Sequence, residues 1–229
     1  NSGFLHGAIE EYLNTVPDPS GALKTVCADQ SPLRFLGWQC YHGVGHGLMF
    51  QTLYDLPQSL KSCATYTDPH AHASCTNGVF MENFNTDGDR HQSKYVKADD
   101  LFYPCDDMPT DLKDDCYLYA PVQYLNIHPD DYKGALQWCM TAPHGYRETC
   151  TVGVGSQLEK ENLLDPKRVE RACTKGTLWQ IAPCIRGVAT LAVYNDGSTV
   201  SAYALCSSFS YVRERICKRT VLGLEGLFE

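Results

Sequence analysis

Apolar residues fall into two alternating rhythms along this chain. A short stretch with helical spacing opens at an aspartate and closes at a cysteine, as in Asp131-Tyr132-Lys133-Gly134-Ala135-Leu136-Gln137-Trp138-Cys139 and in Asp165 through Cys173. A longer stretch follows the next cysteine, and several of these carry glycine three residues on, at Gly43, Gly78, Gly153 and Gly187. Aspartate suits the start of the short element, because its carboxylate accepts from amides that the first helical turn leaves unpaired. Pro166 suits the first helical position, where a missing N–H removes no bond. The pattern predicts a short helix from aspartate to cysteine and a longer one after the second cysteine. Asp196 opens the last short element, which runs to Cys206.

The cysteines mark the same ruler. Taken in order they form six pairs: Cys27/Cys40, Cys63/Cys75, Cys105/Cys116, Cys139/Cys150, Cys173/Cys184 and Cys206/Cys217. The two members lie 11 residues apart in the last four pairs, 12 in the second and 13 in the first. First members step by 36, 42, 34, 34 and 33 residues, a repeat near the length of one helix-turn-helix unit. Pairing in sequence is the one scheme that treats every repeat alike, so it predicts six local disulfides. The long step holds a polar insertion, and residues 85–97 read as an exposed loop. The expected fold is all-α, a single right-handed α-solenoid of about six hairpins spanning 1–229. A helical pattern already under way at Phe4 and another still running at Leu224 point to a fragment truncated at both ends.

Composition narrows the setting. Twelve cysteines with no C-x-x-C spacing favour disulfides over metal thiolates, hence an oxidising compartment: secreted, periplasmic or cell-surface. A net charge of -8 without a basic run argues against nucleic acid, whose phosphates need clustered cations. No apolar run is long enough for a membrane span. With all cysteines bridged, no thiolate nucleophile remains.

Repeat length and cysteine placement together resemble the disulfide-bridged, cysteine-rich secreted members of the tetratricopeptide-like superfamily. The resemblance covers nearly the whole chain and implies architecture only. It also implies a concave face able to bind a peptide or protein, here rich in tyrosines such as Tyr117, Tyr119 and Tyr124.

The segment richest in chemistry is Cys40-Tyr41-His42-Gly43-Val44-Gly45-His46-Gly47. On a helix, His42 and His46 share one face, and imidazoles at that spacing can hold one transition metal. On the repeat ruler His6 takes the place of His42, and Glu10 that of His46. Equivalent positions on stacked helices face one way, so His6, Glu10, His42 and His46 form a candidate ligand set for zinc, copper or iron. Glu10 doubles as a candidate base. Glu82, near Asn77 in the third copy of the slot, is a candidate partner for a ligand or a general base. Later copies hold Leu118, Val152 and Arg186, so the polar character is local. Two functions follow: an extracytoplasmic metal-binding protein, with catalysis unassigned, or a secreted scaffold whose histidines only hold helices together. His70 and His72 form a weaker pair, better read as surface residues.

Overall fold

Helix starts are where the structure first departs from the ruler. In this computed structural model, which describes residues 2–17, 19–85, 93–162 and 165–228, the long helices begin three to six residues before the second cysteine of each pair. The reason is local capping. Asp68 accepts from the amides of His70 (2.8 Å) and Ala71 (3.1 Å), with Pro69 at the first position, so that helix starts well before Cys75. At Thr177 the Gln180 side chain reaches back to the backbone amide, at 3.0 Å, and starts the next-to-last long helix before Cys184.

The described residues form α-helices and short 3-10 turns, with no strand, and no helix among them is long and apolar enough to cross a membrane. The chain divides into two compact units, Asn1–Lys97 with Leu227–Glu229, and Ala98–Gly226. The first contains α1 (Ser2–Thr15), α2 (Pro19–Thr25), α3 (Phe35–Gln51), α4 (Leu56–Cys63) and α5 (Pro69–Phe84). Its long helices pack in chain order, α1 on α3 and α3 on α5. The second contains α6 (Thr110–Ile127), α7 (Tyr132–Cys139), α8 (Arg147–Glu161), α9 (Pro166–Cys173), α10 (Leu178–Asp196), α11 (Thr199–Ser207) and α12 (Tyr211–Leu224). There α6 packs on α8, α8 on α10 and α10 on α12.

All six cysteine pairs are bridged as the spacing predicts, and no cysteine is free. Each bridge ties the end of a short element to the early turns of the next long helix. Short helices start at aspartate caps as expected, with Asp55 accepting from Gln58 N at 3.1 Å and Asp165 from Arg168 N at 2.9 Å. Two short elements differ. Before Cys105 the expected helix does not form, because Pro104 disfavours helical backbone in the residue ahead of it, and a 3-10 turn, Cys105–Asp107, follows. Asp196 belongs to the end of α10. Gly197, at φ 60°, closes that helix in the left-handed region, and Ser198 caps α11 instead.

Consecutive long helices approach to backbone contact at glycine. A Cβ added to Gly78 would collide with the carbonyl oxygen of His42, and one on Gly45 with that of Cys75. Gly153 and Gly187 repeat the first arrangement against Leu118 and Val152. Gly43, Gly45 and Gly47 of α3 thus answer to neighbouring helices, Gly43 facing Ile9 and Gly47 facing Leu13 of α1. With α1 on one side and α5 on the other, α3 is buried continuously from Gln39 to Met49 and shows no polar stripe. Leu13 of α1 and Val79 and Phe80 of α5 are among the buried apolar residues of the helices that enclose it.

Of the insertion read as an exposed loop, residues 86–92 lie outside the described residues. The described flank is not wholly exposed: Ser93 is buried, donates to Asn83 Oδ1 at 2.6 Å and accepts from Tyr95 N at 3.1 Å.

Candidate metal centre

Because α3 is enclosed on both sides, its two histidines are nearly buried. His42 is 2% exposed and His46 5%. One turn apart on α3, their rings meet edge to face with centroids 4.9 Å apart, and their Nε2 atoms lie 3.2 Å from each other. His6 of α1 brings a third ring, 5.1 Å from each of the other two. One ligand atom from each of His6, His42 and His46 falls within 4.8 Å of the others, the one such grouping among the described residues. The carbonyl of His42 lies against Gly78, so the helix carrying two of the rings is fixed against α5.

Two of the remaining ring nitrogens are held from outside the cluster. His46 Nδ1–H donates to Glu82 Oε2 at 2.8 Å, and the carboxylate is 4% exposed. The hydroxyl of Tyr54 donates to the other carboxylate oxygen, Oε1, at 3.3 Å. His6 Nε2–H donates to Gln39 Oε1 at 2.7 Å. Trp38 stacks on His42, with centroids 4.5 Å apart. The turn after α3 carries Leu53 and Tyr54 at φ 52° and 61°, a backbone region that non-glycine residues enter only at a cost of about 1–3 kcal/mol each. That turn is what brings the Tyr54 hydroxyl back onto Glu82.

His46 Nδ1–H is given to Glu82, and one proton lies between the Nε2 atoms of His46 and His42. His42 Nδ1 is buried and without a well-formed hydrogen bond. Burial first, then the neighbouring His46 and His6, hold His42 well below the usual histidine range, with the Asn77 side chain opposing. His6 is lowered to about 4 by burial and by His46, against its bond to Gln39. His6 and His42 are therefore neutral at pH 7, the state in which imidazole binds a metal.

The structure brings His6, His42 and His46 together and sets Glu82 behind His46. Glu10 does not join the group. Its backbone lies against Gly47, and we do not carry it forward as ligand or base. His70, His72, His128 and His144 lie outside the cluster as well, and His91 lies outside the described residues. Gln39 and Tyr54 were not legible beforehand. Gln39 sits three residues before His42 on the same helix face, a spacing that could have marked it. Tyr54 reaches the site through an unusual turn that no spacing rule predicts.

Fold and site together define an all-helical, disulfide-stapled protein with a buried three-histidine cluster. Six bridges and no free thiol indicate an oxidising environment. No protein-family model, curated protein or solved structure matches the chain.

Proposed function

We propose that the first unit binds a single transition metal ion through His6, His42 and His46, with zinc, copper or iron as the candidates. The observation that carries this reading is the convergence of three imidazoles from α1 and α3, with one of them hydrogen-bonded from behind by a buried carboxylate. Metal-bound histidines regularly use their second nitrogen in this way, which fixes the tautomer and strengthens the ligand. Two imidazole nitrogens on one tetrahedral zinc stand about 3.3 Å apart, close to the Nε2 spacing here. An ion between those atoms would take a lone pair from each Nε2 and fix the His42 proton on Nδ1. Three histidines leave a fourth position for water or substrate, the pattern of catalytic rather than closed structural sites. Chemistry beyond binding is not assigned.

The long-range architecture belongs to the same reading. We take the hairpins to continue as an α-solenoid of the tetratricopeptide-like kind, working outside the cytoplasm. A second reading rests on the hydrogen bonds themselves. His6 to Gln39, His42 to His46 and His46 to Glu82 already link α1, α3 and α5, so the histidines would serve only to hold a peptide- or protein-binding scaffold.

Elemental analysis of protein purified without chelator or histidine tag separates the two. The metal reading expects near-stoichiometric metal, lost in His42→Ala and in His46→Ala, with Trp38 fluorescence changing on loading. Wild-type protein that is metal-free and cannot be reloaded leaves the scaffold reading in place.

A further inference from the structure

The slot that holds His42, two residues after the second cysteine of its pair, holds Arg186 in α10 and Arg219 in α12. Arg186 forms an ion pair with Glu148 of α8, which stands two residues before Cys150. In the same register, the position facing Arg219 is two residues before Cys184, and there stands Ala182. Between α10 and α12 lies a cavity of about 640 Å³ lined by Ala182, Arg186, Arg215, Arg219 and the apolar Val212 and Ile216, among others. Among the described residues Arg219 pairs with no carboxylate, and Arg215 lies over the ring of Tyr211, 5.8 Å from its centroid. In a chain of net charge -8, three guanidiniums around one cavity run against the overall sign.

We propose that this cavity binds a small organic anion, a carboxylate on an apolar body, whose head takes with Arg219 the place that Glu148 takes with Arg186. The planar fork of arginine suits a carboxylate through two parallel N–H donors. Ala182 leaves the space in which that carboxylate sits, and Val212 and Ile216 cover the apolar body. The volume lies within the range of small-molecule sites, roughly 300–1,000 Å³. The site is independent of the metal reading, since it lies in the second unit and shares no residue with the histidine cluster.

Octanoate is the test ligand and octan-1-ol its neutral counterpart, each titrated calorimetrically into the full chain with its disulfides intact. The expected result is saturable, one-site binding of octanoate, with the alcohol weaker by about tenfold or more, as loss of a charge-assisted contact implies. Arg219→Ala and Ala182→Glu should each weaken octanoate binding by about tenfold or more, the second because an in-chain carboxylate then occupies the site. Thermal melting checks that both variants fold, and Arg219 is exposed enough for its loss to be tolerated. Absence of saturable octanoate binding, equal binding of acid and alcohol, or wild-type affinity in both variants would overturn the proposal. So would binding confined to a peptide ending in a free Leu-Phe carboxylate, which would make the occupant a protein segment.

Discussion

The same register slot meets opposite fates in the two units. In α3 it carries His42, enclosed by α1 and α5 and neutralised by burial. In α12 it carries Arg219, on a helix of which only Cys217 and Val221 are buried. The scaffold is alike in both places: a cysteine bridge, a long helix, a neighbour at close range. The chemistry differs because neighbouring helices decide whether water reaches the slot. Imidazole tolerates dehydration by giving up its proton, whereas a guanidinium cannot and stays where solvent or an anion can meet it.

The sharpest way to break this contrast is to force α3 and α5 apart. Gly78→Leu places a side chain in the backbone of His42 and should destabilise the protein by about 3 kcal/mol or more, as severe overpacking does. Gly223→Ala, inside α12 and with nothing within 4 Å of the added Cβ, should instead stabilise by about 0.5–1 kcal/mol in thermal melting. A smaller effect follows from removing the carboxylate behind His46. Glu82→Ala leaves His46 Nδ1 without its partner and should cost about 1–3 kcal/mol. If the metal reading holds, the same variant should weaken metal affinity by about 10–100-fold in a chelator competition. Tyr54→Phe, which removes the more distant bond, should do less of both.

Glu159 extends the comparison to a buried carboxylate with no imidazole beside it. Burial, and then the charge of Asp196, raise its pKa to about 7 against the Asn195 amide that donates to it at 2.9 Å. Its folded pKa lies above its unfolded value, so the folded state binds the extra proton. Stability from this group is full below about pH 4.5 and is lost as pH rises through about 7. Glu159→Gln should therefore melt higher than wild type at pH 8 and alike at pH 4. No difference at pH 8 would show the carboxylate to be well solvated. Smallest of all should be any difference between the caps. Asp55→Ala in the first unit and Asp165→Ala in the second should each cost about 1 kcal/mol in denaturant unfolding, because both accept the same third-position amide.

Much of this was legible because cysteine and aspartate act locally. A bridge 11 to 13 residues long and a cap three residues deep are short-range constraints, and their spacing survives in the linear order. The meeting of His6 with His42 and His46 was legible too, since the ruler carries over from one helix to the next. Glu10 shows where the ruler stops: equal register places the Cα atoms but does not aim the side chain. Pro104 removed a helix that the cysteine spacing alone would place there. Glycine was half readable. Its repetition marked tight packing, yet only the three-dimensional neighbours explain why Gly45 and Gly47 fall where they do. Tyr54 depended on a left-handed turn with no glycine in it, which sequence pattern does not signal.

The bridges divide the backbone into two kinds of territory. Between the partners of a pair, as from Cys139 to Cys150, a protease can cut once and the pieces stay covalently joined. Between pairs, as from Cys116 to Cys139, a single cut severs the molecule. Gels run with and without reductant after limited digestion therefore sort every nick into one territory or the other, reading the covalent map directly.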